Sequence, residues 1–332
     1  MQLTFNGHAY DVLPGESVLD AMARHGVGIP ASCRAGSCQA CIVRSVIGDP
    51  GPEARRGLKP TWRAAGYFLA CLARPSSDLT VALAGEQAST RARLVSAQPI
   101  GPGVLRVRLR PERPMEYQPG QHVAVTREGG IARVYSIVSL PDESARTGIE
   151  LHVRVYPGGA MSGWLASAPA GSPLTLGAPA GECFYLPGSA AGPLLLAGTG
   201  TGIAPLVAIV RAALAHRHPG PVALIHGASA PDGLYLGTGC PAVLGGRAAR
   251  TAQRQRPTDG HPLSWRTCLR SDGEDIADVV TAELAGLACD PGTVRAYLCG
   301  GARSVARMRR ALFLAGLSLA DIYADRFVPA GC

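Results

Sequence analysis

Alternating apolar and polar positions open the chain: Leu3-Thr4-Phe5, then Asn6-Gly7, then His8-Ala9-Tyr10-Asp11-Val12. Asn-Gly between two period-2 runs predicts a tight hairpin, because both turn positions need positive φ. The period then becomes helical, with Val18, Leu19 and Met22 on one face and Gly26 placed to end the helix. Leu79-Thr80-Val81 reads as a further strand. Beyond a polar linker at 85–90, short β-rich runs recur at 92–95, 104–109, 122–125, 134–138, 149–155 and 174–176, with turn signals such as Pro119-Gly120 and Pro157-Gly158-Gly159. Runs of this kind predict a small antiparallel barrel. A third pattern starts at Leu194-Leu195-Leu196-Ala197, a buried strand that Gly198-Thr199-Gly200-Thr201-Gly202 turns into a helix over 206–215. Strand 222–226, strand 294–299, a glycine turn at Gly300-Gly301 and helix 304–314 repeat it. Strands alternating with helices imply a parallel sheet covered on both faces.

Composition bounds the picture. The 332 residues, 47% hydrophobic and 17% charged, suffice for two or three cores and exclude a disordered chain. Three domains are expected, at 1–84, 91–186 and 187–332. The net charge of +8 is spread along the chain, nearly all of it on arginine. Unclustered charge with only 5% aromatics argues against a nucleic-acid footprint. The most apolar stretch, 194–215, is punctuated by glycines and Pro205, so no membrane span is expected. Ten cysteines follow a start, Met1-Gln2-Leu3-Thr4, that lacks a charged-then-apolar leader, so the expectation is a cytoplasmic protein with reduced thiols. Residues 237–262, with clustered Gly, Arg and Gln, fit no regular element and read as an insertion.

Four stretches carry candidate chemistry. Cys33, Cys38 and Cys41 have C-x4-C-x2-C spacing, with Cys71 thirty positions on, the ligand pattern of a [2Fe-2S] cluster. Small residues around them, Ala35, Gly36, Ser37 and Ala40, let the backbone wrap closely. Zinc, or four unrelated buried thiols, are the other readings, although structural zinc usually brings a second cysteine pair or histidines. In Arg133-Val134-Tyr135-Ser136 the arginine and tyrosine share one strand face and Ser136 takes the other. Arginine suits a diphosphate and tyrosine offers a flat face to a ring, while an ordinary half-buried strand is the plainer reading. Gly158-Gly159-Ala160-Met161-Ser162 precedes a helix expected from Gly163, so its amides suit a phosphate, or Ser162 simply caps the helix. Gly198, Gly200 and Gly202 let amides approach a diphosphate, but Ile203 stands where a third glycine of G-x-G-x-x-G would be, and a plain strand-to-helix turn is the alternative. For Cys299, a buried strand-end thiol is the alternative reading.

Taken together these stretches resemble known families. Residues 1–84, with the four cysteines as ligands, resemble a plant-type [2Fe-2S] ferredoxin, an α+β ferredoxin-like (β-grasp) domain. Arg-x-Tyr-Ser, a distant Gly-Gly-x-x-Ser, Gly177-Ala178-Pro179-Ala180-Gly181-Glu182-Cys183-Phe184, Gly-Thr-Gly-x-Ala-Pro and a late Cys-Gly resemble the ferredoxin-NADP reductase superfamily. That resemblance implies an antiparallel β-barrel holding FAD and an α/β Rossmann-like nicotinamide domain. It implies that Arg133 meets the flavin diphosphate, Tyr135 packs on the flavin and Ser136 lies by its reactive nitrogen, with Gly159 and Ser162 on phosphate. Gly198, Gly200, Thr201 and Gly202 would then hold the coenzyme diphosphate, Cys299 and Gly300 would flank the nicotinamide, and Phe327 or Tyr323 would cover the flavin or dock the tail. The family often has Cys-Gly-Pro where this chain has Gly301. NADH is expected over NADPH, because 227–236 contains no cation and Asp232 would repel a 2′-phosphate. Arg247, Arg250, Arg254 and Arg256 are the cations able to reverse that choice. The domain order resembles the reductase components of bacterial multicomponent oxygenases, which implies electron transfer from NADH through FAD and the cluster to an oxygenase docked near Arg34, Ala35 and Ser37. Reductases of deoxysugar- or alkane-modifying partners share the order, and a cluster-bearing sensor with a vestigial nicotinamide site is the rival class.

Overall fold

The structure, a computed structural model, describes residues 1–332 apart from 30, 32–33, 37–40, 57, 59, 84–88, 189–190, 238–262 and 328–332. It divides into two compact units, Met1–Glu86 and Gln87–Cys332.

In the first unit the expected hairpin forms from β1 (Gln2–Phe5) and β2 (His8–Asp11), with Asn6 at φ 50° and Gly7 at φ 78°. Helix α1 (Val18–Arg24) starts at Ser17, whose hydroxyl accepts the Asp20 amide at 3.1 Å. A cap of this kind is worth about 1 kcal/mol. The helix ends at Gly26, which takes the left-handed φ of 76°. Then follow β3 (Ile42–Ile47), α2 (Pro60–Ala64), β4 (Tyr67–Leu69) and β5 (Leu79–Leu83). The sheet order is β2-β1-β5-β3-β4, and only the central pair β1–β5 is parallel. Val18, Leu19 and Met22 pack with Leu3, Phe68 and Leu79 in one buried core.

The second unit begins with β6 (Thr90–Gly101), β7 (Val104–Pro111), β8 (His122–Arg127), β9 (Ala132–Ser136), α3 (Pro141–Thr147), β10 (Ile149–Arg154), α4 (Ala160–Ser167) and β11 (Pro173–Leu176). These six strands form one antiparallel sheet, β10-β7-β6-β11-β8-β9. Its two edges are tied together: Ile137 and Leu151 form an antiparallel bridge, and the Val138 amide donates to the Glu150 carbonyl at 2.8 Å. Helix α4 starts three residues before the expected Gly163, so Ser162 lies in its first turn and Gly159 is the N-cap.

A parallel sheet follows, built from β12 (Leu194–Thr199), α5 (Ile203–Ala215), β13 (Val222–Ala228), β14 (Leu263–Leu269), α6 (Ile276–Gly286), β15 (Arg295–Gly301), α7 (Ala302–Leu314) and β16 (Ile322–Phe327). The order β14-β13-β12-β15-β16 reverses direction between β12 and β15. Leu194, Leu196, Val222, Leu224 and Tyr297 face α5, while Leu195, Ala197, Ala223, Ile225 and Leu298 face α6 and α7. Burial on both faces explains the unbroken apolar runs. The α5 core also contains Val104 and Val138 of the antiparallel region, which is why α5 is apolar nearly all round. Among the described residues no helix is long and apolar enough to cross a membrane.

Candidate functional site

Strand pairing brings two of the four candidate cluster cysteines together. Cys41 precedes β3 and Cys71 follows β4; Ile42 pairs with Leu69, and the Ala70 amide donates to the Cys41 carbonyl at 3.0 Å. Both thiols are buried, 2% and 5% exposed. Gly36 sits at φ 79°, where a Cβ would lie 2.6 Å from Leu72 Cδ1, so Gly36 packs directly against the residue after Cys71. Two soft thiols in a dry, closely wrapped site fit an iron-sulfur cluster. Cys33, Cys38 and Ser37 lie outside the described residues. The Arg34 guanidinium, expected to face a partner, pairs with Asp20 at 2.7 Å.

On β9, Arg133 is exposed, Tyr135 half-buried and Ser136 buried. Burial pushes the Tyr135 phenol up to about 12, with the Arg133 charge opposing and Tyr156 adding to the shift. Tyr156 is 62% exposed and stands just before Gly158 and Gly159. No side chain caps the first amides of α4. The Ser162 hydroxyl instead accepts the Tyr156 amide at 3.2 Å and bends the chain back before the helix. A guanidinium, uncapped helix-start amides and two phenol faces suit a flavin dinucleotide.

The glycine turn lies at the carboxyl end of β12, where the sheet order reverses, the usual ligand crevice of an open α/β sheet. Close packing of two strand ends sets its glycines. A Cβ on Gly202 would lie 2.4 Å from the Cys299 carbonyl oxygen, and one on Gly198 would lie 2.8 Å from Gly202 backbone atoms. Gly200, at φ 55°, is more open. Gly300 and Gly301 do not turn as expected; both stay in β15, paired with Arg326 and Phe327. A cavity of about 470 Å³ opens here, lined by Arg154, Thr199, Gly200, Asp232 and Arg270 among others. Arg247, Arg250, Arg254 and Arg256 lie outside the described residues. Tyr323 is fully buried, stacked on Tyr297 with ring centroids 5.2 Å apart, which makes it a core residue, whereas Phe327 is half-buried at the end of β16.

The two halves of this unit converge where motif residues are joined by His122 and Asp325, which carry no local motif. Ser136 pairs with His122, His122 Nδ1 lies 3.4 Å from the Asp325 carboxylate, and Asp325 pairs with Cys299. Cys183 Sγ sits 3.3 Å from Cys299 Sγ in the shared core. His122 and Asp325 are 203 positions apart and Cys183 and Cys299 are 116 apart, so only the tertiary fold reveals these two contacts.

A chain that combines a cysteine-rich ferredoxin-type unit with a unit suited to a flavin dinucleotide and a coenzyme fits an oxidoreductase that handles both paired and single electrons. Residues 3–76 match the model of the 2Fe-2S iron-sulfur cluster binding domain, and residues 92–185 match that of the oxidoreductase FAD-binding domain. The chain is 36% identical over 249 residues to the reductase subunit of an aromatic O-demethylase of Amycolatopsis sp., covering 70% of this chain and 73% of that one. It is 28% identical over 325 residues to the ferredoxin–NAD(P)(+) reductase component of the naphthalene 1,2-dioxygenase system of Pseudomonas putida, covering 96% and 95%. Among solved structures, the Amycolatopsis cytochrome P450 reductase GcoB matches 99% of both chains at 28% identity with a TM-score of 0.64. The chain belongs to the family of FAD- and 2Fe-2S-containing ferredoxin–NAD(P) reductase components of oxygenase systems.

Proposed function

We propose that this reductase draws its electrons from NADH and delivers them to an oxygenase component in the cytoplasm. The observation that carries the reading is the row Ser136, His122, Asp325, Cys299, which sets the flavin strand beside the end of the coenzyme strand. When bound, FAD accepts a hydride's two electrons and releases them singly, and a [2Fe-2S] cluster carries one.

The residues divide the work as follows. Arg133 neutralises the flavin diphosphate together with amides in the first turn of α4, while Gly159, whose own amide donates to the Tyr156 carbonyl at 2.9 Å, and Ser162 shape the bend before it. Tyr135, half-buried on β9, lays its ring against the flavin. Ser136 offers its hydroxyl to the reactive edge, and Phe327 shields that edge from water. Gly198, Gly200, Thr201 and Gly202 form the turn on which the coenzyme diphosphate rests, and Cys299 and Gly300 make the floor under the nicotinamide. Cys33, Cys38, Cys41 and Cys71 ligate the cluster, and the loop at Arg34, Ala35 and Ser37 meets the partner. Asp232, on the wall of the coenzyme cavity, supports NADH as the donor by repelling a 2′-phosphate; Arg154, Arg270, Arg303 and Arg307 line the same cavity, which is why NADPH is tested beside NADH. The domains are 1–84, a β-grasp ferredoxin; 91–186, a barrel whose closure the Ile137–Leu151 bridge supports; and 187–332, a Rossmann-like lobe.

The test is an anaerobic titration of the purified protein with NADH and, separately, with NADPH. Substoichiometric NADH is expected to bleach flavin and cluster bands together, with NADPH much weaker. A protein reduced by neither coenzyme would instead be the sensor with a vestigial site.

A further inference from the structure

The coenzyme turn has a buried support that no motif marks. His226, near the end of β13, has no exposed surface, and its Nε2 lies 3.1 Å from the Gly200 carbonyl oxygen. A carbonyl only accepts, so Nε2 carries the proton. Nδ1 is buried with no hydrogen-bond partner among the described residues. A second proton would find no acceptor there, and burial accordingly lowers the imidazole to about 4, keeping it a neutral donor. The Gly200 carbonyl already accepts the Ile203 amide, so the imidazole is not needed to satisfy it. An aliphatic side chain would fill the same apolar space without stranding a ring nitrogen. What the histidine adds is a second anchor on a residue held at φ 55°.

The ring is braced by Tyr235, a residue beyond the end of β13 that is tied in turn to the antiparallel sheet. Tyr235 packs edge-on against the imidazole, ring centroids 5.7 Å apart. The Tyr235 hydroxyl donates to His152 Nδ1 at 2.8 Å, because His152 Nε2 donates to the Glu150 carboxylate at 3.2 Å. Arg106 and Arg108 fix that carboxylate at 3.3 and 3.0 Å. The Tyr235 backbone also presses on Gly101, where a Cβ would fall 2.9 Å from the Tyr235 carbonyl oxygen.

We propose that His226 is a positioning residue, which fixes the Gly200 carbonyl and thereby aims the turn's amides at the diphosphate of the nicotinamide coenzyme, with Tyr235 bracing the ring and His152 of the antiparallel sheet holding Tyr235. This rests on the coenzyme reading of the turn. The experiment compares the full-length wild type with His226→Leu and His226→Gln, reading the Kd for ADP-ribose, which carries the diphosphate but no nicotinamide, together with the NADH KM, kcat, FAD content and melting temperature. His226→Leu is expected to weaken ADP-ribose binding and raise KM about tenfold, with kcat within about twofold and FAD retained. His226→Gln, which keeps an N–H at similar reach, is expected to recover affinity to within about threefold. Wild-type affinity in His226→Leu overturns the proposal, as does an equal loss in both variants accompanied by loss of FAD, the mark of a packing role. If the wild type binds neither ADP-ribose nor NADH, the coenzyme reading itself falls, and the proposal with it.

Discussion

Gly300 and Gly301 are neighbours under opposite constraints. Gly300 has φ 134°, and a Cβ there would lie 2.2 Å from Thr199 Oγ1 and 3.0 Å from Thr199 backbone atoms. Any side chain must displace the adjacent strand end as well as adopt a strained backbone, together costing roughly 2 kcal/mol or more. Gly301 has φ −58° and nothing within 4 Å of a Cβ. That φ is the one proline imposes, so the glycine found where the resembled family often has Cys-Gly-Pro preserves the backbone geometry. Gly300→Ala should therefore lower the melting temperature and raise the NADH KM. Gly301→Pro should stay within about 1 kcal/mol of wild type, losing only the amide's 3.3 Å bond to Thr199 Oγ1 and gaining from a stiffer unfolded chain. Thermal melts and steady-state kinetics on the two variants decide the matter; similar behaviour would show that φ does not separate the two positions.

Among elements, the seam between the antiparallel and parallel sheets shows what could and could not be read from the chain. Strands such as β7, β10 and β12 were legible because one or both faces are buried and the period is plain. The 2Fe-2S domain and the glycine turn were legible because ligand spacing and close backbone approach restrict residue choice locally. Helix α3 escaped because none of its residues is buried, leaving no apolar stripe to detect. Strand β9 starts two residues before its apolar pattern predicts, since its first half is exposed and Ile137 and Val138, though buried, serve the bridge that ties the sheet edges. His152, Tyr235 and His226 escaped because their meaning lies in contacts across the seam. That seam predicts a pH response. Burial lowers both imidazoles below the 6.5 of an exposed histidine, despite the Glu150 hydrogen bond that favours charged His152. Below pH about 6.5 the unfolded chain takes up protons that the folded seam refuses, so stability falls with pH, for His226 until about 4 is reached. The slope approaches about 1.4 kcal/mol per pH unit for each such histidine. Glu150 acts lower: burial raises its pKa, but His152 and the arginines outweigh burial and bring it to about 2, so its contribution is lost only as pH falls from 4.5 toward that value. Melts between pH 7 and 5 should show a falling midpoint for the flavin-bearing unit, less steep in His226→Gln; a midpoint flat over that range would mean the rings are not held neutral.

At the scale of the whole molecule, the division of labour should be separable by one atom. Cys71 belongs to the core of the first unit, which closes around α1 and its own five strands, and the flavin strand, the coenzyme turn and the seam all belong to the second. In the proposed assignment, replacing its sulfur with the harder oxygen in Cys71→Ser removes a ligand that iron-sulfur chemistry favours while every residue of the second unit keeps its identity. The full-length variant should lose the cluster's visible bands and melt earlier in its first unit, since a ligand set that binds the folded state also stabilises it. Its flavin should still be bleached by NADH at a rate within about twofold of wild type, and reduction of ferricyanide, a small acceptor able to draw directly on the flavin, should persist. Transfer to a protein acceptor that depends on the cluster should fall by two orders of magnitude or more, because the single-electron exit has gone while the hydride entrance remains. Loss of NADH-driven bleaching in Cys71→Ser, with FAD still bound, would show instead that the two units are not functionally separable and that the cluster's surroundings shape the coenzyme site itself.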